Sequence, residues 1–86
     1  MGRDDSAHDL LIALGRVIQA RRSRMGHTQE SLADVADLHR TFVGAIERGE
    51  RNVTFRNLVA LADALHIPVS TLIGAAEAEM SVKQSG

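Results

Sequence analysis

The stretch from Thr28 to Gly49, TQESLADVADLHRTFVGAIERG, predicts two short helices joined by a tight turn. Thr28 precedes the first helix, and its hydroxyl can accept a hydrogen bond from a free amide of the first turn. Asp37 falls where the turn needs left-handed backbone angles, which aspartate tolerates. Gly49 follows the second helix as its terminator. Helices this short need flanking segments to bury their apolar residues. This layout is that of a helix-turn-helix motif, in which the second helix enters a groove of DNA.

Three further helices are predicted from apolar residues at helical spacing on either side of this motif. The first runs from about residue 7 to residue 25. Its inward face is formed by Leu10, Leu11, Leu14, Val17, Ile18 and Met25. The fourth helix begins after Thr54, and its expected buried residues are Phe55, Leu58, Val59, Ala62 and Leu65. Pro68 ends it, since proline disfavours a helical conformation in the preceding residue. The fifth helix runs to about Glu79, and the predicted fold is all-α.

Length and composition are typical of one small folded domain. The 86 residues are 44% hydrophobic and include no cysteine, which excludes a disulfide framework and a thiolate metal site. We expect a domain over residues 7–79, with flexible tails over 1–6 and 80–86. The apolar run from Leu10 to Leu14 is too short for a signal sequence or a membrane span. We therefore expect a cytoplasmic protein with no membrane contact.

Positive charge is concentrated in the middle of the chain. Residues 16–56 carry eight arginines against five acidic residues, a net charge of +3. Residues 1–15 and residues 57–86 each have a net charge of −2. A basic centre between acidic ends suits a protein that binds a specific DNA site better than one that coats DNA.

Four segments in this order resemble the xenobiotic-response-element family of helix-turn-helix repressors, typified by lambdoid phage repressors and Cro proteins. The segments are RRSRMGHTQESLA, ADLHRTFV, IERG and LVALADALHIPVSTLI. Within that family, RTFVGAIERGERNVTF looks most like the small controller proteins of restriction-modification systems. The resemblance implies a five-helix, lambda-repressor-like domain. It also implies a homodimer that regulates transcription from a palindromic or pseudopalindromic operator in double-stranded DNA, as a repressor, an activator or both.

The N-terminal residues of the second motif helix are expected to contact bases, as in helix-turn-helix proteins generally. Arg40 is the best candidate, because its guanidinium can bond O6 and N7 of guanine together. Thr41 offers a hydroxyl and a methyl group, and His39 and Ala45 complete the predicted base-contacting set. Gly44 and Ala45 leave the middle of the helix without long side chains, so most of the readout is expected at its start.

Contacts to the DNA backbone are expected around these residues. The resemblance implies that Gln29 anchors a phosphate at the start of the first motif helix, where helix N-termini favour anions. It also implies that Arg51 and Asn52 belong to a phosphate-binding connector. The remaining backbone candidates are Thr28, Phe42 and Arg48.

Glu47 is interpreted as half of a structural ion pair. It follows Ile46, which is expected to be buried, so Glu47 is expected to be partly buried as well. In the family the matching glutamate pairs with an arginine of the first helix, and that arginine falls at Arg22 here.

The segment after Leu65 has more apolar residues than one short helix needs for its own packing. These residues are Ile67, Val69, Leu72, Ile73 and Met80. Because helix-turn-helix proteins bind paired half-sites as two-fold dimers, we expect this segment to form the homodimer interface.

Other kinds of site are not indicated. The four histidines have no metal-ligand spacing. The chain has no serine-histidine-acid order and no glycine-rich phosphate loop. We therefore expect no metal, no cofactor, no small-molecule ligand and no enzymatic activity. The alternatives are an antitoxin or mobile-element repressor that also binds a partner protein, and an interaction module that has lost DNA binding. Acidic residues on the second motif helix would favour the latter, and Arg40 and Thr41 argue against it.

Overall fold

The computed structural model describes the backbone of residues 6–85 and the side chains of residues 6–80. Five helices and no strand lie within this range, as predicted. They are α1 (Ser6–Arg24), α2 (Gln29–Ala36), α3 (Arg40–Glu47), α4 (Phe55–Ala64) and α5 (Val69–Ser85). Of the predicted N-terminal tail, residues 1–5 lie outside the described residues and Ser6 is the first residue of α1. Helix α5 continues to Ser85 instead of ending near Glu79, because no glycine or proline interrupts residues 80–85.

Three helices begin at side-chain caps. The Thr28 hydroxyl accepts from the Ser31 backbone N–H over 2.9 Å, and the Ser31 hydroxyl lies 2.9 Å from the Thr28 backbone N–H, which donates to it. This reciprocal pair is a capping box for α2. His39 and Thr54 cap α3 and α4 in the same position. The sequence predicted the threonine caps, whereas it placed His39 only at or near the start of its helix.

Four helices end at a residue with left-handed backbone angles. These residues are Gly26, Asp37, Gly49 and His66. At each one, the next residue donates its backbone N–H to a carbonyl five residues earlier, as from Leu38 to Ala33 over 2.8 Å. Each turn thereby satisfies carbonyls at a helix end and reverses the chain. The sequence identified Asp37 and Gly49 but not His66.

The core lies where α1 packs against α5 and α3, while α2 packs against α3 and α4. Its largest fully buried side chains are Ile18, Leu32, Val43, Ile46, Leu61, Leu65 and Leu72. Gly15 sits where α1 meets the end of α3: a Cβ there would lie 2.6 Å from the carbonyl oxygen of Glu47 and closer still to that of Ile46. Only glycine lets the two backbones approach this closely, and the approach fixes α3 against α1.

Two residues assigned to inward faces are exposed. Met25 directly follows the last residue of α1 and is 36% exposed. Phe55 is the first residue of α4 and is 75% exposed, because no described element covers that end of the helix. Both residues fit the helical spacing, but spacing does not show which part of a helix packs against other elements.

No single described helix is long and apolar enough to cross a membrane. Helix α4 and residues Val69–Met80 pass that test only when joined, and they meet at an angle of 98°.

Candidate nucleic-acid interface

The exposed N-terminus of α3 carries Arg40 and Thr41, immediately after the cap residue His39. The Arg40 guanidinium lies 3.8 Å from the carboxylate of Glu30 on α2, and these side chains are 65% and 68% exposed. An ion pair this open to water is worth only about 0–1 kcal/mol. Arg40 can therefore leave Glu30 for a partner outside the protein.

His39 and Thr41 are joined at the same end of the helix. Nδ1 of His39 accepts the Thr41 backbone N–H over 3.2 Å and lies 2.7 Å from the Thr41 hydroxyl. These contacts hold both side chains at the exposed end of α3, so neither swings freely.

Phe42 is partly buried against the core, and its ring also contacts the side chain of an arginine. The guanidinium carbon of Arg51 lies 5.5 Å from the ring centroid, within range of a cation–π contact. The ring thus positions a cation from the α3–α4 connector beside the recognition helix. Sequence reasoning named both residues but did not connect them.

The predicted ion pair between α1 and α3 is present beneath this surface. Arg22 donates from Nε to Oε2 of Glu47 over 2.6 Å and from a terminal nitrogen to Oε1 over 3.1 Å. Its other terminal nitrogen donates to the His27 carbonyl over 2.8 Å. The two side chains are only 12% and 2% exposed. A bidentate, buried pair of this kind fixes the distance and the rotation between the two helices.

Gln29 is the third member of this network. Its side-chain amide donates to Oε1 of Glu47 over 3.0 Å, so this amide is directed to the interior. Gln29 is also the first residue of α2. Any phosphate contact at this end of α2 therefore falls mainly to backbone amides, because the side chain links α2 to α3.

The remaining backbone candidates lie at the rim of the same surface. Thr28 is exposed and its hydroxyl is part of the α2 cap. Arg48 forms an exposed ion pair with Glu50 over 3.0 Å, and Asn52 is exposed in the connector.

The middle of α3 does not have the exposure that the sequence suggested. Gly44 and Ala45 are both buried, Ala45 to 9% exposure. A Cβ on Gly44 would lie 3.2 Å from the Gln29 side-chain oxygen and 3.1 Å from the Arg48 guanidinium, so these side chains cover it. Ala45 therefore offers little surface to a base, and it is left out of the base-contacting residues proposed below.

Leu72 was predicted to lie in the homodimer interface. It is fully buried in the core of its own chain. The other predicted interface residues, Ile67, Val69, Ile73 and Met80, are partly buried and pack against that core while keeping an outer surface. Apolar spacing alone did not distinguish the inner side of α5 from its outer side.

Within the part of the chain that the structure describes, no three His, Cys, Asp or Glu side chains form a group that could hold a metal ion. The fold and the exposed end of α3 together define a helix-turn-helix DNA-binding domain, with α3 as the recognition helix.

The chain belongs to the helix-turn-helix family, whose model matches residues 17–72. It is 40% identical over 65 residues to "Control protein C.SmaI" of Serratia marcescens. This match covers 76% of this chain and 77% of that protein. The crystal structure of the restriction-modification controller protein C.AhdI from Aeromonas hydrophila superposes with a TM-score of 0.71. Its sequence identity is 40%, and the match covers 72% of this chain and 94% of that chain.

The crystal structure of the clp gene regulator ClgR from Corynebacterium glutamicum gives a TM-score of 0.84 at 25% identity. It covers 88% of this chain and 81% of that chain. These similar proteins are a control protein, a restriction-modification controller and a gene regulator. The chain is a DNA-binding transcription regulator.

Proposed function

We propose that this chain acts as a homodimer on a two-fold or pseudo-two-fold operator, in the manner of a restriction-modification controller. The observation that carries the proposal is the exposed pair of Arg40 and Thr41 at the start of a recognition helix held in place by buried ion pairing. The similarity to named controller proteins, over most of the chain, supports the restriction-modification setting. A regulator of this kind works where the DNA is, so the proposal includes a cytoplasmic, nucleoid-associated location.

Base recognition is assigned to Arg40 and Thr41. Arg40 is the only one of the two that can give a bidentate hydrogen bond to guanine, the commonest specific contact in the major groove. Its weak, open pair with Glu30 leaves it available for this role. Thr41 contributes a hydroxyl one residue further along the helix, and His39 supports it from the cap position.

Phosphate contacts are assigned to the residues at the rim. Arg51 is the strongest of these, because stacking on Phe42 orients its guanidinium without neutralising its charge. Arg48, Asn52, Thr28 and the first backbone amides of α2 complete the set. Such contacts set the position of the domain on DNA but do not distinguish sequences.

The homodimer interface is assigned to the outer surface of the α4–α5 connection and α5. Ile67, Val69, Ile73 and Met80 keep apolar surface there, whereas Leu72 is used by the core. A two-fold axis through this surface would present two recognition helices to half-sites roughly 34 Å apart, one turn of B-DNA.

The proposal is tested by selecting tight-binding duplexes from a random library and titrating the best duplex and a scrambled one with the protein. We expect two-fold or pseudo-two-fold sites with half-site centres about 10 base pairs apart. Specific binding should exceed non-specific binding by about 10³-fold or more at physiological salt. Equal affinity for selected and scrambled duplexes, or selected sites without internal symmetry, would contradict it.

A further inference from the structure

Two hydrogen bonds between His39 and Thr41 define the state of the imidazole ring. The Thr41 backbone N–H donates to Nδ1 of His39 over 3.2 Å. A backbone amide can only donate, so Nδ1 carries no proton and the proton of the neutral ring lies on Nε2. The ring therefore offers a lone pair, not a hydrogen, to its neighbours on the Nδ1 side.

The same nitrogen determines the direction of the second hydrogen bond. The Thr41 hydroxyl lies 2.7 Å from Nδ1 of His39. Since the one lone pair of Nδ1 already accepts from the backbone amide, the hydroxyl can bond to this nitrogen only by donating to the same lone pair, and a hydroxyl has a single hydrogen. The Thr41 oxygen then has only lone pairs left for a ligand. Threonine without such a neighbour could either donate or accept.

We infer that His39 makes Thr41 an obligate hydrogen-bond acceptor, so that Thr41 selects a base with an exocyclic amine, adenine or cytosine. This inference rests on the proposed function, in which Thr41 faces the major groove. Adenine and cytosine present amine donors there, at N6 and N4. Guanine and thymine present only acceptors there, apart from the thymine methyl, and an acceptor facing the Thr41 oxygen gains no hydrogen bond. His39 is thus a positioning residue that acts through Thr41.

Three variants separate this role from helix capping. Thr41→Val keeps the shape of the side chain and removes the hydroxyl. His39→Gly removes the acceptor, while glycine remains a tolerated cap that costs the helix little. His39→Asn keeps a carbonyl oxygen with two lone pairs in the cap position, and is the conservative rescue. Thermal unfolding followed by circular dichroism shows whether each variant folds.

The test is a titration of the wild type and the three variants against operators carrying each base pair at each half-site position. The wild type should prefer adenine or cytosine at one position by about fivefold, the value of one neutral hydrogen bond. Thr41→Val and His39→Gly should lose that preference, and His39→Asn should keep it.

A preference for guanine or thymine at the position that Thr41→Val alters would overturn the inference. So would an unaltered base preference in Thr41→Val, or a full preference retained by folded His39→Gly. A wild-type chain that does not distinguish operator from scrambled DNA would overturn the proposed function itself, which the other outcomes leave standing.

Discussion

Arg22 and Glu47 form a bidentate ion pair that joins α1 to the C-terminal end of the recognition helix. The Glu47 side chain is 2% exposed, and its carboxylate accepts a third hydrogen bond from Gln29 of α2. Three helices therefore meet at one carboxylate. The orientation of the recognition helix relative to the rest of the domain depends on this contact.

Arg22→Ala should destabilise the domain by about 3–5 kcal/mol, because it leaves Glu47 buried without its cation. That is a large share of the roughly 5–15 kcal/mol that stabilises a typical domain. Arg24→Ala is the matched control, since Arg24 is exposed in the same turn of α1 and should change stability by less than about 0.5 kcal/mol. Urea unfolding of both variants measures the difference, and equal midpoints would show that the pair does not hold the fold.

Gly15→Ala should destabilise the domain by about 1–3 kcal/mol, because the new methyl group would force α1 away from the end of α3. The Cβ would lie 2.6 Å from the Glu47 carbonyl oxygen, which is backbone and cannot rotate away. Gly74→Ala is the control: its Cβ meets nothing within 4 Å, and alanine there should stabilise α5 by about 0.5–1 kcal/mol. A melting temperature unchanged by Gly15→Ala would contradict the close approach.

Asp37→Gly should stabilise the domain by up to about 1 kcal/mol, because glycine has no penalty at the backbone angles that Asp37 adopts. The same change three residues earlier, Asp34→Gly, lies inside α2 and should destabilise it by about 0.3 kcal/mol, because glycine is a slightly weaker helix former than aspartate. The test is that the two substitutions change the stability of the domain in opposite directions. If thermal unfolding showed that both variants lose stability equally, the left-handed turn between α2 and α3 would not be present.

The wild-type chain should sediment as a dimer at micromolar concentration, and Ile73→Asp should shift it towards monomer. A charge on the outer surface of α5 cannot be buried against a second copy without a large desolvation penalty. Val35→Asp places the same charge at an apolar residue that is 60% exposed on α2 and should leave the dimer intact. A strictly monomeric wild type, or dissociation caused by Val35→Asp alone, would contradict the assigned interface.

Helix ends and the motif were predictable because their signals are local. Thr28 and Thr54 cap helices through their own hydroxyls, and Asp37 and Gly49 take left-handed angles that few other residues accept. Each of these interactions lies within a few residues of chain, so the sequence contains the whole of it. His66 was missed because histidine is less typical than glycine at such a position. Its carbonyl and that of Leu65 accept hydrogen bonds from Arg21 of α1, a long-range contact.

Placement of side chains between helices was less predictable, because it depends on distant elements. Leu72 and Ile73 are adjacent apolar residues, and only the position of α1 and α4 determines that Leu72 is the buried one. Ala45 was expected to be exposed, since nothing nearby in sequence indicates that the middle of α3 is covered. The stacking of Arg51 on Phe42 likewise depends on how the connector folds back. The ion pair was foreseen only through the family resemblance.

Arg40 is assigned to a base and Arg51 to a phosphate, so removing each side chain should change DNA binding in a different way. Arg40→Ala should weaken binding to the operator by about 1–3 kcal/mol and leave non-specific binding nearly unchanged. Arg51→Ala should weaken binding to all sequences alike. It should also reduce the slope of log K against log salt concentration by about one. Arg51→Lys keeps the charge and is its control.

The most direct measurement is a titration of these variants and the wild type against operator and scrambled duplexes at several salt concentrations. We expect Arg40→Ala to relax base preference at one position of each half-site and Arg51→Ala to retain every preference. Full discrimination by Arg40→Ala at every operator position would contradict the role assigned to Arg40, and base recognition would then be left to Thr41 alone.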